Sequence, residues 1–223
     1  MSSSTLAEAG WLRLPSALPM GGLDALAANA MPDAGEAGSR NLLDRDACAA
    51  LVAPIRNVLC AQGLLSSDAV AVQCTLFRKD VDCNWKVPYH QDLSIPVAER
   101  IDHPALSGWS VKEDGHYVQP PVALLETLLA VRLHLDACGI DDGALRVVPG
   151  SHRLGRLPAD RIADIDKRDE EVVCMADAGD LVLMRPLLLH ASSKAARPNG
   201  RRVLHFLFAR PVPGHGLRWR IAV

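Results

Sequence analysis

"GDLVLMRPLLLHASSKAARPNGRRVLHFLFAR", residues 179–210, holds two apolar runs separated by a polar stretch. Gly179-Asp180 is a turn signal, and the run it opens, Leu181–Met184, is too short for a helix and suits a buried strand. His190 lies just past this apolar segment. The polar stretch ends in the turn "RPNG", and Arg201 and Arg202 stand at the head of a second strand over Val203–Ala209. Two short apolar strands joined through polar turns describe antiparallel β-structure.

The same pattern extends upstream. "AVAVQCTLF", residues 69–77, reads as a strand with Gln73 and Thr75 on one face and Val72, Cys74 and Leu76 on the other. Further strands are predicted around Val87–Ile95, Leu129–Asp136, Ala144–Val148 and Glu171–Met175. They are separated by turn signals such as "DDG", "VPGSH" and "DAGD". Before residue 69 the pattern is helical. A short helix is expected near Leu23–Ala30, and Asp44 is a candidate cap for a helix through "ACAALVAPIRNVLCAQG", with Pro54 marking a kink or a late start. Residues 98–128, rich in Pro, Gly and charge, read as a long loop, and such loops often act as lids. The expected architecture is mainly β, an antiparallel sandwich or barrel with flanking helices, in a single domain spanning 1–223. Within it, residues 1–68 form a helical N-terminal part and 69–210 the β core.

Composition narrows the function. A net charge of −2 gives no support to a nucleic-acid or anionic-membrane partner. No apolar run approaches a membrane span, and the N-terminus lacks the basic start and apolar stretch of a secretory signal. The six cysteines show no CxxC pair, which fits free thiols in a reducing cytoplasm.

The chemistry-bearing residues suggest a metal. In "KVPYHQDLSIPV", residues 86–97, strand alternation puts His90 and Asp92 on one face. Two histidines and a carboxylate on one side of a metal form the facial triad of non-haem iron(II) oxygenases, whose open positions admit co-substrate and dioxygen. H-x-D alone is weak evidence, because eight His and nineteen Asp make about one chance match probable. A second match, His134-Leu-Asp136, is also present, and spacing does not choose between them. His190 offers a third donor. An arginine eleven residues further on is the cation that a carboxylate co-substrate beside the metal would need. Ser192 could add a hydroxyl donor.

Taken together, "PYHQD", "HLDACGIDDGALRVVPGSHRLGRL" and "AGDLVLMRPLLLHASS" with Arg201 resemble, in order, the motifs of the phytanoyl-CoA dioxygenase-like family of Fe(II)/2-oxoglutarate-dependent oxygenases. The resemblance covers roughly residues 70–210 and implies a double-stranded β-helix, or jelly-roll, with iron at its open end. It implies His90, Asp92 and His190 as iron ligands, with 2-oxoglutarate and dioxygen as co-substrates. Arg201 would grip the distal carboxylate of 2-oxoglutarate, with Ser192 beside it and Arg202 as the runner-up. Halogenating relatives have a small residue where Asp92 stands, so the aspartate favours hydroxylation of a small molecule.

Arg132, His134 and Asp136 alternate onto one strand face, either lining the cavity near 2-oxoglutarate or substrate, or forming a structural hydrogen-bond network. The family often has an aromatic at the position of Arg132. Gln73 and Lys79 are further cavity candidates, and His205 a supporting one. His152 is expected to stabilise its turn or to sit at the pocket rim rather than to bind metal. Trp109, Tyr117 and Gln119 would contact substrate if 98–128 closes over the site. The rival readings are a zinc or manganese hydrolase or isomerase, and a non-catalytic module that binds metal or 2-oxoglutarate. The substrate and the oligomeric state are not legible.

Overall fold

The computed structural model describes residues 2–18, 39–113, 115–164 and 171–223. The helix expected near Leu23–Ala30 lies outside these. A five-stranded antiparallel sheet has the order β1-β10-β7-β12-β2, built from β1 (Trp11–Leu14), β2 (Val70–Lys79), β7 (Leu129–His134), β10 (Leu181–Met184) and β12 (Arg201–Ala209). A four-stranded sheet, β3-β11-β8-β9, comprises β3 (Val87–His90), β8 (Leu145–Val147), β9 (Val172–Cys174) and β11 (His190–Ser192). This is the mainly β jelly-roll architecture expected.

Alternation in the larger sheet decides where the cavity lies. Leu129, Val131 and Leu133 of β7, Leu181 and Leu183 of β10, and Leu204, Phe206 and Phe208 of β12 bury themselves in one cluster. That cluster also takes Leu6 of α1 (Ser2–Ala9), Cys48 of α2 (Asp46–Ala49), and Val52, Ile55 and Leu59 of α3 (Val52–Ala61). The opposite face begins apolar, with Ala130, Val182, Met184 and Leu207 packed against Leu145, Val147 and Cys174 of the smaller sheet. Further along the same face the side chains turn polar: Arg132 and His134 follow Ala130 on β7, and His205 and Arg201 precede Leu207 on β12. The space between the sheets therefore grades from a dry core into a polar, cationic cavity.

Several expectations are corrected. Residues 98–128 are not a long loop. Their β5 (Ser107–Lys112) and β6 (Gly115–Gln119) form a hairpin that joins β4 (Ile95–Val97) in a third sheet, followed by α4 (Val122–Leu125). Ile95, Val97 and Val118 dock this sheet onto the inter-sheet core. The N-terminal part is not wholly helical, because β1 pairs with β10. Asp44 caps nothing. It closes a 3₁₀ turn over Leu42–Asp44 and pairs with Arg220 at 3.0 Å. The helical stretch breaks before Val52, so Pro54 sits in the first turn of α3, where a missing N–H costs little.

Candidate metal centre

β3 and β11 lie side by side with His190 directly opposite His90. Their rings approach to 4.2 Å between centroids. Each ring is fixed in the same way. His90 Nδ1 donates to the carbonyl of Pro88 at 2.9 Å, and His190 Nδ1 to that of Leu188 at 2.9 Å. A carbonyl can only accept, so Nδ1 carries a proton in both rings, and in the neutral form of each ring the Nε2 lone pair is the one open to another partner. Asp92 supplies the third group. It lies past the end of β3 rather than on it, and its N–H donates to the Pro186 carbonyl at 2.8 Å. This bond brings the carboxylate to 3.8 Å from each Nε2. Donor atoms from His90, Asp92 and His190 all fall within 4.8 Å of one another, the only such group among the described residues. Two imidazoles and a carboxylate on one side of a point suit Fe(II).

Electrostatics agree with that use. Burial pushes His190 down to about 4 against the pull of Asp92, keeping it neutral and able to donate a lone pair. Burial works to raise the Asp92 carboxyl, but the positive surroundings, Arg132 among them, outweigh it and hold the group below the usual carboxylate range.

The three groups open onto a cavity of about 710 Å³ that Gln73, Lys79, Arg132, Ser192, Arg201 and His205 also line. Arg201 is 3 % exposed. Its terminal nitrogen donates to the carbonyls of Gly143 at 3.0 Å and Asp142 at 3.3 Å, while Nε has no partner. The turn that holds it requires glycine. Gly143 has φ +68°, and a Cβ there would stand 2.6 Å from the Ser193 carbonyl. Arg202 points away and forms a two-pronged pair with Asp136 at 2.8 and 2.9 Å. Alternation thus gives the cavity to Arg201. Arg132 lies beside His205, 3.3 Å from its Nδ1, and stacks over Phe77 at 5.1 Å with its own Nε unpaired. Burial and the nearby Arg201 hold Arg132 down at about 10, and burial and Arg201 hold Lys79 at about 8.

The Arg132, His134 and Asp136 stripe is therefore not one network: Arg132 faces the cavity, Asp136 serves Arg202, and neither nitrogen of His134 has a partner. Gln73 donates to the Thr75 hydroxyl at 2.8 Å. His152 stands apart from the cavity, bonded to the Ala7 carbonyl of α1 at 3.1 Å. Of the three lid candidates, Tyr117 and Gln119 line the cavity, and Trp109 packs under Arg100 at 5.7 Å instead.

One residue that the sequence pattern did not single out lies between His90 and Asp92. Gln91, 6 % exposed, donates to the carbonyls of Leu187 at 2.7 Å and Gly155 at 2.8 Å, and accepts from the Leu157 N–H at 2.8 Å. Its neighbours in sequence, His90 and Asp92, face the metal position, and its three side-chain hydrogen bonds tie that segment to Gly155, Leu157 and Leu187.

With this geometry in view, a profile of the phytanoyl-CoA dioxygenase family matches residues 22–203, a stretch that includes His90, Asp92, His190 and Arg201. The chain belongs to the phytanoyl-CoA dioxygenase family. The family uses Fe(II), 2-oxoglutarate and dioxygen, and the His90–Asp92–His190 group is a fitting donor set for that iron.

Solved structures share the fold of this family member. SnoK, a non-haem α-ketoglutarate-dependent carbocyclase from nogalamycin biosynthesis, superposes with a TM-score of 0.66 over 96 % of this chain and 87 % of its own, at 16 % identity. ThoJ, a non-haem monooxygenase, gives 0.66 over 100 % and 82 %, at 17 % identity. HygX from Streptomyces hygroscopicus, solved with nickel and 2-oxoglutarate bound, gives 0.61 over 93 % and 85 %, at 14 % identity. No curated protein matches this family member in sequence. No helix among its described residues is long and apolar enough to cross a membrane.

Proposed function

We propose that this chain is an Fe(II)- and 2-oxoglutarate-dependent dioxygenase that hydroxylates a small molecule. The observation that carries the reading is the convergence of two proton-fixed imidazoles and Asp92 in a cavity that the buried Arg201, whose Nε has no partner, also lines. His90, Asp92 and His190 hold the iron on one side. Arg201 takes the distal carboxylate of 2-oxoglutarate, because a buried guanidinium without a carboxylate partner is costly until an anion reaches it. Ser192, on the same short strand as His190, adds a hydroxyl, and Gln73 and Arg132 border the co-substrate. When bound, iron with 2-oxoglutarate and dioxygen supplies the oxidising chemistry, and 2-oxoglutarate leaves as succinate and carbon dioxide. The protein orients the reactants and keeps bulk water from them. A carboxylate at position 92 occupies the place a halide would need, which supports hydroxylation over halogenation. The free state of all six cysteines supports a reducing, cytoplasmic setting.

The test is succinate formation by the iron-loaded protein. Succinate that depends on both 2-oxoglutarate and dioxygen, and that disappears in Asp92→Ala, is the expected result. Metal-dependent turnover without either co-substrate would establish the hydrolase or isomerase reading instead. Binding without any turnover would establish the binding-module reading.

A further inference from the structure

Charge in the cavity is unbalanced in a way that concerns the substrate. Four cations that line it, Lys79, Lys112, Arg132 and Arg201, form no ion pair with any described carboxylate. Two acidic residues line it. Asp92 faces the metal position, and Glu113 is committed to Arg40, accepting from its backbone N–H at 2.7 Å and its guanidinium at 3.1 Å. Iron would add two positive charges, and 2-oxoglutarate with Asp92 three negative ones, so the cavity keeps an excess of positive charge even with the co-substrate bound.

Two of the four are placed to serve 2-oxoglutarate: Arg201 directly, and Lys79, its strand partner in register. Lys79 is in addition held by the carbonyls of Trp85 and Ser193. Arg132 adjoins His205 and contributes to the field at Asp92. Lys112 is different. It comes from neither jelly-roll sheet but from β5, on the hairpin that packs over the site. Its ammonium rests over the ring of Tyr117, 4.9 Å from the centroid. Tyr117 is 2 % exposed, and its hydroxyl is buried without a hydrogen-bond partner. A buried phenol leaves its hydroxyl unpaired only at a cost.

An ammonium without an ion pair, and the unpaired hydroxyl of the ring beneath it, belong to residues that line the cavity with the metal group, and they share one complement. Both donate, and an oxyanion accepts from both. We propose that Lys112 and Tyr117 form the subsite for an anionic group, a carboxylate or phosphate, on the primary substrate. This rests on the oxygenase reading, because it assumes that Arg201 is taken by 2-oxoglutarate. The hairpin would thereby select acidic substrates and place their carbon skeleton over the iron.

The experiment uses the full chain loaded anaerobically with Fe(II) and 2-oxoglutarate, and measures affinity by calorimetry for paired probes that carry or lack an anionic group. Benzoate is compared with benzamide, octanoate with octanamide, and phenyl phosphate with phenol. The expected result is that at least one anion binds tenfold or more tightly than its neutral counterpart. Lys112→Met should abolish that preference and Tyr117→Phe should reduce it, with 2-oxoglutarate affinity within about twofold of wild type in both. A preference seen for benzoate and octanoate alone identifies a carboxylate, and one for phenyl phosphate alone a phosphate. No preference for any anion in wild type, or a preference untouched by Lys112→Met, overturns the proposal. Failure of 2-oxoglutarate to bind the Fe(II) protein at all would instead overturn the oxygenase reading, and it is read in the first titration.

Discussion

Arg201 lines the cavity, holds its guanidinium against two carbonyls of the Asp142-Gly143 turn and leaves its buried Nε without a partner. Removing one partner of a buried charge pair costs about 2–5 kcal/mol. Arg201→Ala is therefore expected to weaken 2-oxoglutarate by at least about thirtyfold while iron affinity stays unchanged. Equilibrium binding of each separately checks this, and an unchanged 2-oxoglutarate affinity would move the role to Arg132. His134 makes a second prediction. Burial, with Arg132 and Arg201 nearby, holds it down at about 3, against an ordinary value near 6.5. The unfolded chain takes up this proton as pH falls through 6.5 and the folded chain refuses it until about 3, so stability is full above that window and falls across it. At pH 5 the loss is about 2 kcal/mol from this residue. Denaturant unfolding at pH 7 and pH 5 should show a wild-type loss that includes this contribution beside those of His190 and His205, and His134→Leu should reduce it by about that amount.

At the scale of elements, the metal group depends on how β3 is tied to its surroundings. Gln91 joins β3 to the loops at Gly155–Leu157 and at Leu187 with three hydrogen bonds. Gln91→Leu removes them and leaves three backbone groups short of a partner, a cost of about 3 kcal/mol. Because those bonds orient His90 and Asp92, iron affinity should fall by about tenfold as well. A loss of stability with iron affinity intact would show that Gln91 only packs. Legibility at this scale varied for physical reasons. Leu181–Met184 is bounded by a turn on one side and Arg185-Pro186 on the other, and β10 has those very limits. β11 carries no periodicity in three residues, and its pairing with β3 and β8 defines it. The β5–β6 hairpin did carry a signal, Asp114-Gly115 between alternating runs, but the surrounding charge and proline read as loop. Asp92 shares a face with His90 as expected, though through its bond to Pro186 rather than through strand alternation.

At the scale of the molecule, one sheet face carries the argument. Its apolar end locks the two sheets together, and its polar end gathers cations that a mildly acidic chain would otherwise spread over its surface. The ordered motifs made the fold and the His90–Asp92–His190 group legible. The sorting of Arg201 from Arg202, and of Arg132 from His134 and Asp136, was not, because it depends on partners from Asp136, Gly143 and His205 that only the sheet register brings near. The most direct test of the central claim is anaerobic titration of the metal-free protein with Fe(II) and then 2-oxoglutarate, following the weak visible charge-transfer absorption of a chelated 2-oxoglutarate–Fe(II) centre. The account predicts that the band appears at one equivalent of iron in wild type and is lost in His190→Ala and Asp92→Ala. Folded, iron-loaded wild-type protein that never develops the band would contradict it.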